Sequence, residues 1–167
     1  YLLSNASTAL GVGRTGTIRF YAGLRFQTIA VPVAATINSA TLTIFTGGLV
    51  GTSDVNIYGN DVDDAAAWAD PGNRIKNITQ TSAVVNKTDW TPDDDNAVDV
   101  TTIVAEIVAR AGWASNNDIA FGLFNNAAGD SLVNFAALEH ATITEARLAI
   151  TYNEVAGGGA RSFGFIF

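Results

Sequence analysis

"ATLTIF", residues 40–45 within "LRFQTIAVPVAATINSATLTIF" (24–45), sets Ala40, Leu42 and Ile44 on one side of an extended chain and Thr41, Thr43 and Phe45 on the other. Side chains of a strand alternate between two faces, so this run reads as a strand with one buried face. The same period recurs in both directions. Arg19 to Phe26 reads as a strand before it, and Asp54 to Tyr58 as one after it with Val55 and Ile57 to one side. Further on come Ile119, Phe121 and Leu123, then Val133, Phe135 and Ala137, then Ala146, Leu148, Ile150 and Tyr152. One-faced alternation in so many short runs predicts an all-β fold of two antiparallel sheets whose inner faces share a core.

Turn residues separate the runs: "VPVAATINS" (31–39), "TGGLVGTSD" (46–54) and "FNNAAGDS" (124–131). "DVTTIVAEIVARAGW" (99–113) departs from the β period. Val100, Ile103, Val104, Ile107 and Val108 fall at helical spacing, with Asp99 able to cap the amino end and Gly112 the carboxyl end. The spacing predicts one short amphipathic helix, about 100–111, lying over an edge or the bottom of the sandwich. Residues 61–98 are the least regular. Structureless loops of that length are rare in compact domains, so short strands are expected there, with "SAVVN" (82–86) the best candidate and Trp68 and Trp90 pinning the segment to the core. The resulting division is an amino-terminal arm (1–17), a sandwich module (18–154), and a Gly-rich linker with a Phe-rich carboxyl-terminal strand or tail (155–167).

A chain of 167 residues can bury a core without staples. Cysteine is absent, which excludes disulfides, thiolate metal sites and cysteine nucleophiles. A net charge of -7, a pI near 4.4 and nine scattered basic residues argue against nucleic acid as a partner, because phosphate binding needs clustered Lys and Arg. With 15% charged residues and abundant Thr, Asn, Ser and Gly, the solvent face is expected to be mostly neutral and rich in hydroxyls and amides, a composition common in extracellular and virion β-proteins. No apolar run approaches the roughly 20 residues a membrane-spanning helix requires, so no membrane is expected as a partner. The sequence begins at Tyr1 and holds no methionine, so a processed form or part of a longer product is expected.

Several blocks in order carry a family resemblance: "YAGLRF", "VPVAATINSATLTIF", "VNIYGND", a tryptophan-containing segment, "DVTTIVAEIVARAGWASNNDIAFGL" and "EARLAITY". Over about Phe20 to Tyr152 the chain resembles the jelly-roll modules called DNRLRE or disaggregatase-related. Those modules have a "GLRF" strand, an "IPxGATIxSAxLxF" element, a "DVTxIVxEIVxRPGW" helix and a closing "PxLxVxY" strand. Glu106, Arg110, Gly112 and Trp113 lie in the most specific part of the match. Ala34 stands where the family often has Gly, Ala111 where it often has Pro, and Glu145 where the last strand usually starts after Pro. The resemblance implies an antiparallel two-sheet, jelly-roll-like sandwich from a secreted or cell-surface bacterial protein or a tailed-bacteriophage structural protein. It supplies no catalytic motif to transfer.

Asp61, Asp63 and Asp64, or Asp93, Asp94 and Asp95, are candidate calcium ligands, since calcium takes several carboxylate and carbonyl oxygens from a flexible loop. Neither cluster matches the EF-hand loop, so solvated loop charge is the competing reading. Glycoside hydrolysis needs two carboxyl groups at a fixed separation, which no spacing here imposes. His140, the only histidine, has no "GxSxG" or "HExxH" context and reads as a surface turn residue. Tyr58, Trp68 and Trp90 are candidate stacking platforms for sugar rings, against the alternative that large rings are core. Arg19 and Arg25 are expected to pair with carboxylates such as Glu106 or Glu145. Asn5, Asn77 and Asn86 begin short sequons that chance readily supplies.

"GGGARSFGFIF" (157–167) joins a glycine linker to Phe163, Phe165, Ile166 and Phe167. An exposed apolar strand is an aggregation hazard, so this tail either folds back on its own chain or adds to a neighbour's sheet. The functional expectation is a non-catalytic structural module assembling with other protein subunits through its terminal arms, on a virion surface or otherwise extracellular. No cofactor is expected beyond the calcium alternative. The competing expectation is a carbohydrate-binding or adhesion module of a secreted bacterial surface protein.

Overall fold

The run at 40–45 lies in the middle of a fifteen-residue strand, Thr36–Val50, around which the sheet is organised. The computed structural model describes residues 9–69, 75–136, 145–154 and 162–166. In chain order its strands are β1 (Ala9–Thr15), β2 (Ile18–Phe26), β3 (Thr36–Val50), β4 (Val55–Asn60), β5 (Gln80–Lys87), β6 (Asp94–Asp99), β7 (Ile119–Asn125), β8 (Ser131–Ala136), β9 (Arg147–Asn153) and β10 (Ser162–Ile166). One α-helix, α1 (Thr101–Val108), follows β6, and a single 3₁₀ turn covers Ile75–Asn77.

The strands run in the order β10-β9-β3-β8-β1-β2-β7-β4-β5, with β6 joined to β3 off this path, and the pairs are antiparallel. Two strands change partners along their length. Thr41 to Thr43 face β9 on one edge and β6 on the other, whereas Thr46 faces Asp94 of β6 and Phe135 of β8. Thus β9 and β8 succeed each other along one edge of β3. The register shifts between Thr46 and Gly48 at the handover. Likewise β2 pairs with β1 at Ile18 to Phe20 and with β7 at Tyr21 to Phe26. Strands that switch partners through bulges turn corners. The outcome is an all-β, sandwich-like curl of antiparallel sheet, as the period of two requires.

Leu42, Ile44, Ile57, Phe121, Leu123, Phe135, Leu148 and Ile150 are buried inside the curl. Each such side chain contributes about 1.5–3 kcal/mol relative to exposure. The buried face of α1, made of Ile103, Val104, Ile107 and Val108, packs on β3, β4 and β5 and so bridges two parts of the curl. Gly59 makes the approach close: a Cβ there would lie 2.7 Å from both Ile103 Cγ2 and Ile107 Cδ1. Asp99 Oδ1 accepts from the Thr101 backbone N–H at 2.9 Å and the Thr101 hydroxyl at 2.6 Å, which organises the helix start.

Several expectations need correction. The helix ends at Val108, short of 111, because Arg110 N and Trp113 N turn back to the carbonyls of Ile107 and Arg110. Ala9–Thr15 is no arm but a strand between β2 and β8. Its glycines resemble a linker in sequence, yet a Cβ on Gly13 would fall 2.0 Å from the Ser131 carbonyl oxygen. The "TGGLVGTSD" stretch is largely strand, β3 running on to Val50 before the chain turns at Gly51, whose φ is +70°. The acidic run at 93–99 contains β6, which pairs with β3. Ala34, where the resembled family often has Gly, has φ +62°.

Candidate functional site

Side chains that pair across strands share a face, so register defines the outer surface of β2, β7, β4 and β5. Tyr21, Phe124, Asn56 and Asn86 form one row, and Gly23, Gly122, Tyr58 and Val84 the next. The residues that alternate with them along the strands, including Ala22, Leu24, Leu123 and Ile57, point into the core. The Phe124 ring centroid lies 5.4 Å from that of Tyr21 and 5.8 Å from that of Tyr58. Beside these half-buried rings, Asn86 Nδ2 donates to Asp54 Oδ1 at 2.5 Å and Asn56 Oδ1 at 2.9 Å, and Asn126 Nδ2 donates to Asp54 Oδ2 at 3.1 Å. Aromatic faces next to planar amides and a carboxylate suit a polyhydroxylated ligand, which offers C–H faces and hydroxyl edges.

The two in-register glycines leave a trough in this face, and the irregular segment fills it. A Cβ on Gly23 would lie 2.8 Å from Trp68 Cε2 and 2.7 Å from Ile75 Cγ1, and one on Gly122 would lie 2.7 Å from Ile78 Cδ1. Trp68 is therefore half-buried on the outside of the sheet, with its indole Nε1 enclosed and, among the described residues, without a hydrogen-bond partner. Polar ties fix the segment further. Arg25 Nε donates to the Ala65 carbonyl at 2.7 Å while its guanidinium pairs with Asp118, whose other oxygen accepts from Thr28 N at 2.8 Å. Asp64 Oδ1 in turn accepts from Asp118 N at 2.8 Å.

Asp61 and Asp63 converge on a guanidinium. Arg110 Nη1 donates to Asp61 Oδ1 at 2.5 Å and Arg110 Nε to Asp63 Oδ1 at 2.7 Å. The hydrogen bonds it donates to Asp63 and then to Asp61 hold the guanidinium pKa above its ordinary value. Gly112 serves this clamp rather than closing the helix, since a Cβ there would lie 2.0 Å from Asp63 Oδ2. In the second cluster, Asp94 accepts from the backbone of Asp95, Asp95 pairs with Arg147 at 2.6 Å, and Asp93 has φ +54°. Among the described residues no group of three or more carboxylate, His or Cys side chains is gathered as for a metal ion.

Other candidates move. Trp90 is 5% exposed, stands edge-on to Phe135 at 4.9 Å and donates from Nε1 to the Lys87 carbonyl, so it is core and no stacking platform. Arg25 takes Asp118 instead of Glu106 or Glu145, and Arg19 is exposed opposite Arg14. Glu106 instead accepts from Ser82 N and Ala83 N, both at 2.7 Å. Tyr21 and Phe124, unnamed among the sequence candidates, belong to the aromatic face. Their signal was the alternation itself, a large ring on the polar side of two one-faced strands. His140, Phe167 and Asn5 lie outside the described residues.

The tail folds back on its own chain. Ser162 to Ile166 pair with β9 from Asn153 to Ala149, Phe163 opposite Tyr152 and Phe165 opposite Ile150. Among the described residues no helix is long and apolar enough to cross a membrane. No family model matches the chain, and no curated protein matches it either.

Proposed function

We propose that the protein is a non-catalytic structural module that assembles with other subunits on the outside of a particle or cell, as a bacteriophage virion component such as a capsid decoration, head-fibre or tail-associated subunit. The observation that carries this reading is β10, an uncharged strand following a glycine-rich stretch and forming the last strand at one end of the sheet. The family resemblance points the same way. Affinity comes from that end of the molecule, while the Thr- and Asn-rich acidic faces stay in water. Light scattering on the full chain and on a chain ending at Val155, with and without a calcium chelator, tests it. A discrete oligomer that becomes monomeric on truncation is expected; monomers in both forms would sink the reading.

A second reading, a carbohydrate-binding or adhesion module of a secreted bacterial surface protein, is favoured by the face of Tyr21, Tyr58 and Phe124 beside Asn56, Asn86 and Asp54. It requires glycan binding that is lost in Tyr58→Ala with the melting profile kept. Silence on a broad glycan array would remove it.

A further inference from the structure

An unpaired strand edge offers a row of backbone donors and acceptors to any extended chain, and folded proteins blunt such edges with charges, bulges or covering elements. Here the exposed boundaries of the sheet differ in this respect. At β5 the register skips between Tyr58 and Asn60, so that Thr81 to Ala83 bulge out, and the bulge N–H groups of Ser82 and Ala83 are held by Glu106 of α1. The helix packs against that strand. At β6 three of six residues are aspartates, Asp94, Asp95 and Asp99. β10 reads Ser-Phe-Gly-Phe-Ile: no charge, no proline, a continuous register on β9 and, among the described strands, no partner on its other side.

We propose that this edge pairs with β10 of a second copy, antiparallel about a two-fold axis through Gly164, so that two sheets become one. The strand is self-complementary in that arrangement. Gly164 meets Gly164 at the axis, Phe163 comes opposite Phe165 of the second copy, and Ser162 opposite its Ile166. No like charges are brought together, and the register sets a phenylalanine position opposite a phenylalanine position on each side of the axis. Burial between copies is small, because five residues extend only about 17 Å and a standard interface covers about 1,600 Å². A single pairing is accordingly weak and gains from multivalency when many copies are held on one particle. With -7 on each copy, added salt strengthens it by screening. This inference rests on the assembling-subunit reading and specifies its contact.

The chain has no cysteine, so a single introduced thiol reports the axis without interference. Directly opposed residues in an antiparallel pair have Cα atoms about 4.5–5.5 Å apart, within disulfide range. Gly164→Cys under mild oxidation is expected to give disulfide-linked dimer at least tenfold faster than Gly129→Cys, a loop position with open space around it. Gly164→Lys, which sets two ammonium groups face to face, is expected to remain folded by circular dichroism and to lose self-association in light scattering. Equal cross-linking rates for the two cysteine variants would overturn the pairing. If the full chain then still forms a discrete oligomer, the assembling reading stands on another surface; if it is monomeric, both fall.

Discussion

The β5 and β10 ends close the same sheet and are finished in opposite ways. At β5 the terminal strand is irregular, its displaced N–H groups are capped by the Glu106 carboxylate, and α1 lies on it with four buried aliphatic side chains. At β10 the terminal strand is regular, uncharged and, among strands and helices, packed chiefly on β9. One end is sealed by tertiary contacts, and the other is a regular strand that, among the described strands, pairs on one side only. The difference shows that an edge is a property of its surroundings: β5 is itself Val-rich and strand-like, and only the helix and its glutamate make it a closed boundary.

The seal is strongest where it is apolar. Ile107→Ala should lower unfolding free energy by about 2–5 kcal/mol in chemical denaturation, since Ile107 is fully buried between helix and sheet. A loss under about 1 kcal/mol would mean that α1 does not close this end. Glu106→Ala should come next, at about 1–3 kcal/mol, because two bulge N–H groups lose a charged acceptor. Amide exchange at Ser82 and Ala83 should quicken selectively in that variant; unchanged protection there would show that the carboxylate is not their partner.

Ala34 gives a test nearer the β10 end, in the turn before β3, whose first residue pairs with Asn153 beside the start of β10. Ala34→Gly should stabilise by roughly 0.5 kcal/mol, the relief of a left-handed alanine being partly offset by a more flexible unfolded chain. Destabilisation would put the strain elsewhere. The smallest effect is expected from pH at the sealed end. The Thr101 hydroxyl and then its backbone N–H hold the Asp99 carboxyl below its usual 3.8. A depressed value means stability present above pH 3.8 and lost as pH falls through the folded-state value. Acid unfolding of Asp99→Asn should therefore be less steep over that window, and identical curves would remove Asp99 from the acid response.

Much of this was legible from the chain. The strands around Leu42, Ile57, Phe121 and Leu148 and the helix face of Ile103 and Ile107 announce themselves by period. β1 did not, because Gly11 and Gly13 look like linker until Ser131 and Leu132 are seen to crowd them. Nor did β6, hidden in an aspartate run that satisfies its outward face with charge. At the candidate surface, Tyr58 and Trp68 were visible as aromatics in or beside an irregular region, but Trp90 was indistinguishable from them before its ring met Phe135.

By itself, then, the sequence determined that its clearly periodic segments extend, which one coils and which of their faces turn inward, because those follow from spacings of two and of three to four along the chain. Tertiary structure alone decided that Arg110 clamps Asp61 and Asp63, that Arg25 chooses Asp118, that Glu106 guards β5 and that β10 ends the strand order beside β9. Those outcomes join residues tens of positions apart, and nothing local encodes which strands become neighbours until the core has closed.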